Sequence, residues 1–391
     1  MRCYEISFSP PMYIGGVEVY VTTLIKYLRK YGATPVLITS KPKIQGDISN
    51  TVTDTILIES KGKTPTEIFN NFIDNTCQIL LEISEQEKDI IIHAHGPIEC
   101  YAAIKAKTQR DFPLIFTMHD IVYKEWYKYF KKVIDNINSV DGIYTLSNYM
   151  RKYLSDYGIE KNKVEVIPGG IDREIFDVKR IKYDEIEKLR ERLGISKQER
   201  IIFYPSRIDP LKGIDTLIKS LDYINRKYRV KLLLTGGPSL KDTHLRLEEV
   251  INYEERIKTI KNTNVIWGSE ILGNINYQDL PALYYLSDIT AIPSLSEPFG
   301  MVALESMSMG TPVIASNTGG LKEIITDHIN GILITPGDYK ELADAIIELI
   351  KNTQLHESIS KSSYHTAERY SFNNKLTLFA QISAMPRIRI C

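Results

Sequence analysis

Ile289-Thr-Ala-Ile-Pro-Ser-Leu-Ser-Glu-Pro-Phe-Gly-Met-Val-Ala-Leu-Glu-Ser306 passes from a short apolar run, through a polar loop, into a helical stretch beginning near Phe299. A strand whose carboxyl end turns into a loop and then a helix is the unit of a parallel sheet, where ligands sit outside the carboxyl ends of the strands. Glu297 falls in the loop and Glu305 about one turn inside the helix. The amides of Phe299, Gly300, Met301 and Val302 open the helix, where partial positive charge favours anions. Carboxylates beside a row of amide donors offer acceptors for hydroxyl groups and donors for an anion in one small space. Acidic residues that merely complement a helix dipole are the plain alternative, but Glu305 lies too deep in the helix for that explanation.

The same alternation continues outward in both directions. Short apolar runs at Ile201–Tyr204, Val230–Leu234, Val265–Trp267, Ile289–Pro293 and Pro312–Ser316 are each followed by a helical or turn segment. Earlier, Cys3–Ser7, Thr34–Thr39, Ile90–Ala94, Leu114–Met118, Gly142–Leu146 and Val164–Ile167 repeat the pattern. Between the first two of these, Tyr20, Leu24 and Leu28 recur at helical spacing with Val21 and Ile25 beside them. The class is therefore α/β, with parallel sheets covered by helices. The charged passage Lys182–Gln198 separates the two series, and 391 residues suit two domains at roughly 100 to 200 residues each. The expected division is residues 1–180 and residues 181–369, each doubly wound.

Charge removes one class of function. The 49 Lys and Arg are offset by 49 Asp and Glu, and residues 1–175 carry 21 basic and 22 acidic side chains. With no basic arm or acidic tail, a nucleic-acid partner is not expected. The four cysteines, Cys3, Cys77, Cys100 and Cys391, form no CxxC pair and no Cys/His cluster, so neither a metal site nor a disulfide framework is expected. Glu5 interrupts what would be the apolar core of a signal peptide, and no run of about 18 apolar residues occurs. A cytoplasmic protein without membrane spans is the expectation.

Polar motifs cluster after the expected strands. Gly15-Gly16 precedes the first helix and would let backbone amides approach an anion; a tight turn explains the pair equally well. The dinucleotide pattern G-x-G-x-x-G is absent. His93 and His95 follow one strand and His119-Asp120 another, placing imidazoles at one sheet edge. His93 suits a histidine satisfied by backbone carbonyls, whereas His119 beside Asp120 has no obvious core role. Arg207 and Lys212 lie in Ser206-Arg-Ile-Asp-Pro-Leu-Lys-Gly213, where the Asp209-Pro210 turn would bring two cations onto one site. A planar fork and a point charge beside a strand end suit a diphosphate.

These residues, in this order, resemble the retaining glycosyltransferases of family 4, the group 1 glycosyl transferases. Gly15-Gly16, His119-Asp120, Pro168-Gly-Gly-Ile-Asp172, Arg207 to Gly213, Glu297 to Glu305, Gly310-Thr-Pro-Val-Ile-Ala-Ser and Gly319-Gly320 with Glu323 all take part, covering nearly the whole chain. Ser206 stands where that family often has glycine. The resemblance implies the GT-B fold, two Rossmann-like domains facing across a cleft. The N-terminal one, 1–180, would serve the acceptor, and the C-terminal one, 181–369, a nucleotide-sugar donor, with segment 370–391 crossing back. It implies that Arg207 and Lys212 bind the donor diphosphate, Glu305 the ribose hydroxyls, and Glu297 hydroxyls of the transferred sugar. Phe299, Gly300, Met301 and Val302 would supply amides, Gly268 would meet the nucleobase, and Gly15 and Gly16 would approach the diphosphate. His119 would lie beside the transferred sugar, with His95 and Asp120 on the acceptor side.

In the implied reaction the bond between anomeric carbon and diphosphate breaks, and Arg207, Lys212 and the helix N-terminus stabilise the departing phosphate. No metal and no cofactor are then needed. The acceptor would be a glycan or a lipid-linked saccharide. Residues 123–134 combine four lysines with interleaved aromatics, either an interfacial strip for peripheral membrane contact or an amphipathic surface helix with an aromatic core face. Two alternatives remain: a sugar-nucleotide epimerase of the same fold, with Glu18, Glu99 or Asp120 as acid and base, and a nucleotide-sugar binding protein without turnover.

Overall fold

Seven parallel strands make the sheet of the first unit: β1 (Arg2–Ile6), β2 (Thr34–Ser40), β3 (Thr55–Ile58), β4 (Ile90–Ala94), β5 (Leu114–Met118), β6 (Gly142–Thr145) and β7 (Val164–Val166). Their spatial order is β3-β2-β1-β4-β5-β6-β7. The second unit has six parallel strands: β8 (Arg200–Tyr204), β9 (Val230–Leu234), β10 (Val265–Trp267), β11 (Ile289–Ile292), β12 (Val313–Ser316) and β13 (Ile332–Ile334). They run β10-β9-β8-β11-β12-β13. The computed structural model describes residues 2–11, 15–42, 54–122, 124–235, 248–259, 264–272 and 275–372. Cys391, Tyr123 and the C-terminal segment beyond Phe372 lie outside them.

Both orders reverse at one place. The chain leaves β1 towards β2 and β3 and returns with β4 on the other side of β1; β8 and β11 repeat this in the second unit. Loops leaving adjacent strands in opposite directions open a crevice at their carboxyl ends. Gly15 and the segment after His95 stand at one such point, and the Ser206–Gly213 and Pro293–Gly300 loops at the other.

Each sheet is buried on both faces, which requires near-continuous apolar strands. Tyr4, Ile6, Ile92, Phe116 and Phe72 anchor the first core, and Ile202, Tyr204, Leu232, Ala291 and Ile346 the second. Some of the covering helices are capped by side chains: Thr64 accepts from the Glu67 amide ahead of helix Pro65–Gln86, and Ser147 from the Met150 amide ahead of helix Asn148–Asp156. A carboxylate and an imidazole break the apolar rule side by side. Glu5, in the middle of β1 beside His93 of β4, is fully buried.

The division between units falls earlier than residue 180. Among the described residues, those through Gly169 belong to the first unit and those from Gly170 to the second. Ile171 explains why: its amide donates to the Tyr370 carbonyl at 2.8 Å, and its carbonyl accepts from Phe372 N at 3.0 Å. Arg173 bonds Ser308 and Tyr364, and Ser308 Oγ donates to the Phe176 carbonyl. Tyr370 to Phe372 therefore stay with the second unit, and the expected crossing segment falls outside the described residues from 373 onward.

Residues Lys124–Trp126 form a 3-10 turn and Tyr127–Asp135 a helix. Tyr129, Phe130 and Val133 go into the core, and Tyr129 donates to Asn70 at 2.8 Å. Lys128, Lys131 and Lys132 are exposed, as on an amphipathic surface helix. No helix among the described residues is long and apolar enough to cross a membrane.

Candidate functional site

In the second unit the loop after β8 is built around Tyr204. This residue is fully buried, and its hydroxyl donates to the carbonyls of Arg207 and Lys212, at 3.0 and 3.3 Å, clasping both ends of the loop. Asp209 accepts from the Leu211 amide at 2.8 Å and caps the single turn Pro210–Lys212. Gly213 closes the turn at φ 67°, and a Cβ there would meet the Pro293 carbonyl oxygen at 2.0 Å. Only glycine fits both constraints. The Leu295 amide donates to the Leu211 carbonyl at 2.8 Å, binding this loop to the one after β11.

Across that junction Lys212 Nζ lies 2.8 Å from Glu297 Oε2, with side chains 21% and 15% exposed. The structure thus joins the cation expected to bind phosphate to the carboxylate expected to bind sugar. The Glu297 backbone is fixed as well: its carbonyl accepts from Gly320 N at 2.8 Å, and a Cβ on Gly319 would meet that oxygen at 1.9 Å. Gly300, at φ 114°, begins helix Met301–Ser308. The Gly300 carbonyl accepts from Ala303 and Leu304, leaving the Met301 and Val302 amides ahead of the first intrahelical bonds.

Glu305 belongs to a different set of bonds. Buried, it accepts from the Tyr277 hydroxyl at 2.9 Å and from the Tyr284 hydroxyl at 2.7 Å. Burial pushes its carboxyl up, and the two tyrosine bonds pull it back. The tyrosine hydroxyls are themselves pushed up by burial and by Glu305, so they remain donors. Each carboxylate oxygen keeps a further lone pair for a ligand hydroxyl. Neither tyrosine was predicted as a site residue. Gly268 opens helix Gly268–Leu272, and a Cβ there would stand 3.0 Å from the Leu234 carbonyl, so its place is set by packing on β9.

In the first unit, His95 and His119 do meet. His95 Nδ1 is 2.9 Å from His119 Nε2, and His95 Nε2 is 2.7 Å from Glu5 Oε2. His93 bonds a side chain rather than the expected carbonyls: Nε2 lies 2.8 Å from Thr117 Oγ1, while Nδ1, 2.8 Å from Glu5 Oε2, is buried without a hydrogen bond, as is Glu5 Oε1. Burial drives the His95 imidazole down to about 4, its neighbour His93 adding to the effect while Glu5 opposes it. Burial, then His95 and His93, holds His119 well below its ordinary value. Both rings are neutral at neutral pH. For Glu5, burial pushes the carboxyl up, but His93 and His95 outweigh it and hold the group low and ionised.

The remaining candidates are more ordinary. Asp120 accepts from the Ile121 amide at 2.8 Å. A Cβ on Gly15 would meet Glu18 Oε2 at 2.2 Å, whereas Gly16 has open space on that side. Glu18 therefore folds towards the helix start that was expected to receive an anion. Glu99, whose carboxyl burial pushes up to about 7, accepts from the Phe8 amide at 2.7 Å and stands in the first turn of helix Pro97–Lys107. Its bonds serve the fold, which weakens the epimerase alternative.

Two family models match the chain. The Glycosyltransferase Family 4 model covers residues 14–175, and that for Glycosyl transferases group 1 covers residues 185–366. An uncharacterised glycosyltransferase of Methanocaldococcus jannaschii is 31% identical over 59% of this chain and 57% of its own length. A D-inositol 3-phosphate glycosyltransferase of Xylanimonas cellulosilytica is 25% identical over 75% of this chain and 71% of its own. The match thus spans little more than half of the archaeal relative. Among solved structures, Anabaena HepE in complex with UDP and glucose superposes with a TM-score of 0.76 at 22% identity, covering 98% of both chains. With two parallel α/β units of this topology and both models matched in succession, the chain belongs to the group 1 glycosyltransferases and has the GT-B, Rossmann-like fold.

Proposed function

We propose that the protein moves a sugar from a nucleoside-diphosphate sugar to a hydroxyl of a glycan or lipid-linked saccharide, with retention of anomeric configuration. The observation that carries this reading is the joined pair of loops at the β8/β11 switch point, with Lys212 on Glu297 beside the amides of Met301 and Val302. An incoming diphosphate replaces the carboxylate as partner of Lys212, and Glu297 is released to accept from sugar hydroxyls. Arg207, Lys212 and the helix N-terminus then balance the negative charge that grows on the departing diphosphate. Fixed cations supply the neutralisation that a divalent ion would otherwise provide, so metal independence is part of the proposal. No cofactor takes part; the nucleotide sugar is a substrate.

Glu305 takes the ribose hydroxyls on its remaining lone pairs, and Gly268 the region of the base. His119, with His95 and Asp120, and Gly15 and Gly16 are the contributions of the first unit. Retention is what the family resemblance implies, and a nucleotide-sugar donor is supported by the likeness to Anabaena HepE, whose structure is a complex with UDP and glucose. A cytoplasmic site of action, with peripheral contact to an anionic membrane through Lys128, Lys131 and Lys132, completes the reading.

The test is a thermal-shift screen of UDP, GDP and ADP sugars, followed by release of nucleoside diphosphate with candidate acceptors. Stabilisation by one nucleotide class, lost on Lys212→Met, supports the proposal. A protein stabilised by none of the three, or equally stabilised after that substitution, does not have it.

A further inference from the structure

Glu5, His95 and His119 form a single file of polar atoms inside the first unit. An ionised carboxylate only accepts, so His95 Nε2, 2.7 Å from Glu5 Oε2, must donate. A neutral imidazole carries one N–H, so His95 Nδ1 is then the acceptor, and His119 Nε2 at 2.9 Å must donate to it. The lone pair of His119 is left on Nδ1. That atom is buried and makes no hydrogen bond, and buried polar atoms of this kind are rare. The ring follows the carboxyl end of β5, where ligands of such sheets are met.

We propose that Glu5 is a positioning residue that acts through His95 to fix His119 as a hydrogen-bond acceptor at Nδ1. The ligand group met there is a hydroxyl donor, not a carboxylate or phosphate oxygen. This rests on the proposed function for the identity of the ligand, but the tautomer itself does not.

The other groups around the file agree with this. His93 Nε2 is taken up by Thr117, and the Tyr20 ring packs edge-on against His119 with centroids 4.7 Å apart. Tyr20 remains protonated, burial pushing its hydroxyl up. A metal ion among Glu5, His93 and His95 does not suit these distances. Tetrahedral zinc with bonds of about 2.1 Å sets its ligand atoms about 3.4 Å apart, whereas Glu5 Oε2 lies 2.7 and 2.8 Å from the two nitrogens. Nor does packing call for Glu5, since burying a carboxylate in a strand costs several kcal/mol before its partners compensate.

The full chain labelled with 15N-histidine, without ligand, reports which ring nitrogen carries the proton through long-range 1H–15N correlations at pH 7. The His119 signal is identified by its loss in His119→Asn. The expected wild-type spectrum shows His95 and His119 each as one neutral tautomer protonated at Nε2. Glu5→Leu and, separately, His95→Phe should turn His119 into a mixture of tautomers, a change that loss of packing alone does not produce. A wild-type His119 protonated at Nδ1 or charged, or an unchanged single tautomer in both variants, overturns the proposal. If Glu5→Leu does not fold, the wild-type spectrum and His95→Phe decide.

Discussion

Lys212 cannot serve Glu297 and a diphosphate at once, and this makes the two residues respond in opposite ways. The Lys212→Met variant keeps the aliphatic stem but removes the charge. A charge-assisted hydrogen bond is worth about 1.5–3 kcal/mol, so nucleoside diphosphate binding should weaken by about 10- to 150-fold. Without ligand, the same change strands Glu297, which is only 15% exposed, at a cost of about 1–3 kcal/mol in stability. Glu297→Gln removes the competitor instead, and affinity for the same nucleotide should stay equal or rise by up to about tenfold. Calorimetric titration with UDP, GDP and ADP at fixed ionic strength reads the affinities, and urea unfolding without ligand reads the stability. A Glu297→Gln variant that loses nucleotide affinity as severely as Lys212→Met would refute the exchange of partners.

Further expectations concern backbone, base site, acid and membrane. Gly213→Ala forces a side chain into the left-handed region and against the Pro293 carbonyl; a loss of about 1–3 kcal/mol in urea unfolding, with weakened nucleotide binding, is expected. Tyr277→Phe removes one of the two donors on Glu305, and should lower stability by about 1 kcal/mol while altering affinity for the nucleoside more than for inorganic diphosphate. His95 is held at about 4 in the folded chain, below the ordinary histidine value of about 6.5. The unfolded chain therefore binds the extra proton first, so this stability is present above about pH 6.5 and is lost as pH falls towards 4. Between pH 7 and 5 the His95 contribution falls by about 2 kcal/mol, read by urea unfolding as the difference between wild type and His95→Phe at the two pH values, because Glu99, pushed up to about 7, changes stability the opposite way over the same range. Replacing Lys128, Lys131 and Lys132 together with Glu should abolish any salt-sensitive sedimentation with anionic vesicles, and unchanged sedimentation removes the membrane contact.

The order of strands along the chain was largely legible because parallel strands buried on both faces are apolar runs that stand out between amphipathic helices. β3 and β13 escaped notice; both are short edge strands, but so are β7 and β10, which were legible, so length and edge position alone do not account for the difference. Loop residues after β8 and β11 were legible from glycines and charges at strand ends, and Lys212 with Glu297 shows the outcome. Glu5 gave a signal that the sequence reading left unused: a carboxylate inside an apolar strand marks a buried polar network. Tyr277 and Tyr284 were hidden because nothing local distinguishes a tyrosine that reaches Glu305 from one that fills a core. The unit boundary depended on Ile171 pairing with residues 370–372, a contact across about half the chain that no local pattern announces.

The central claim is transfer from a nucleotide sugar held by the second unit, and Glu297→Ala tests it most directly when nucleoside diphosphate release is measured beside nucleotide binding. Wild-type protein should release diphosphate from one sugar-nucleotide class in the presence of an acceptor. The variant should bind that diphosphate with affinity within about tenfold of wild type and release none from the sugar nucleotide. Undiminished turnover in Glu297→Ala, or a wild-type chain that binds the nucleotide yet turns over no donor with any acceptor, would contradict the account.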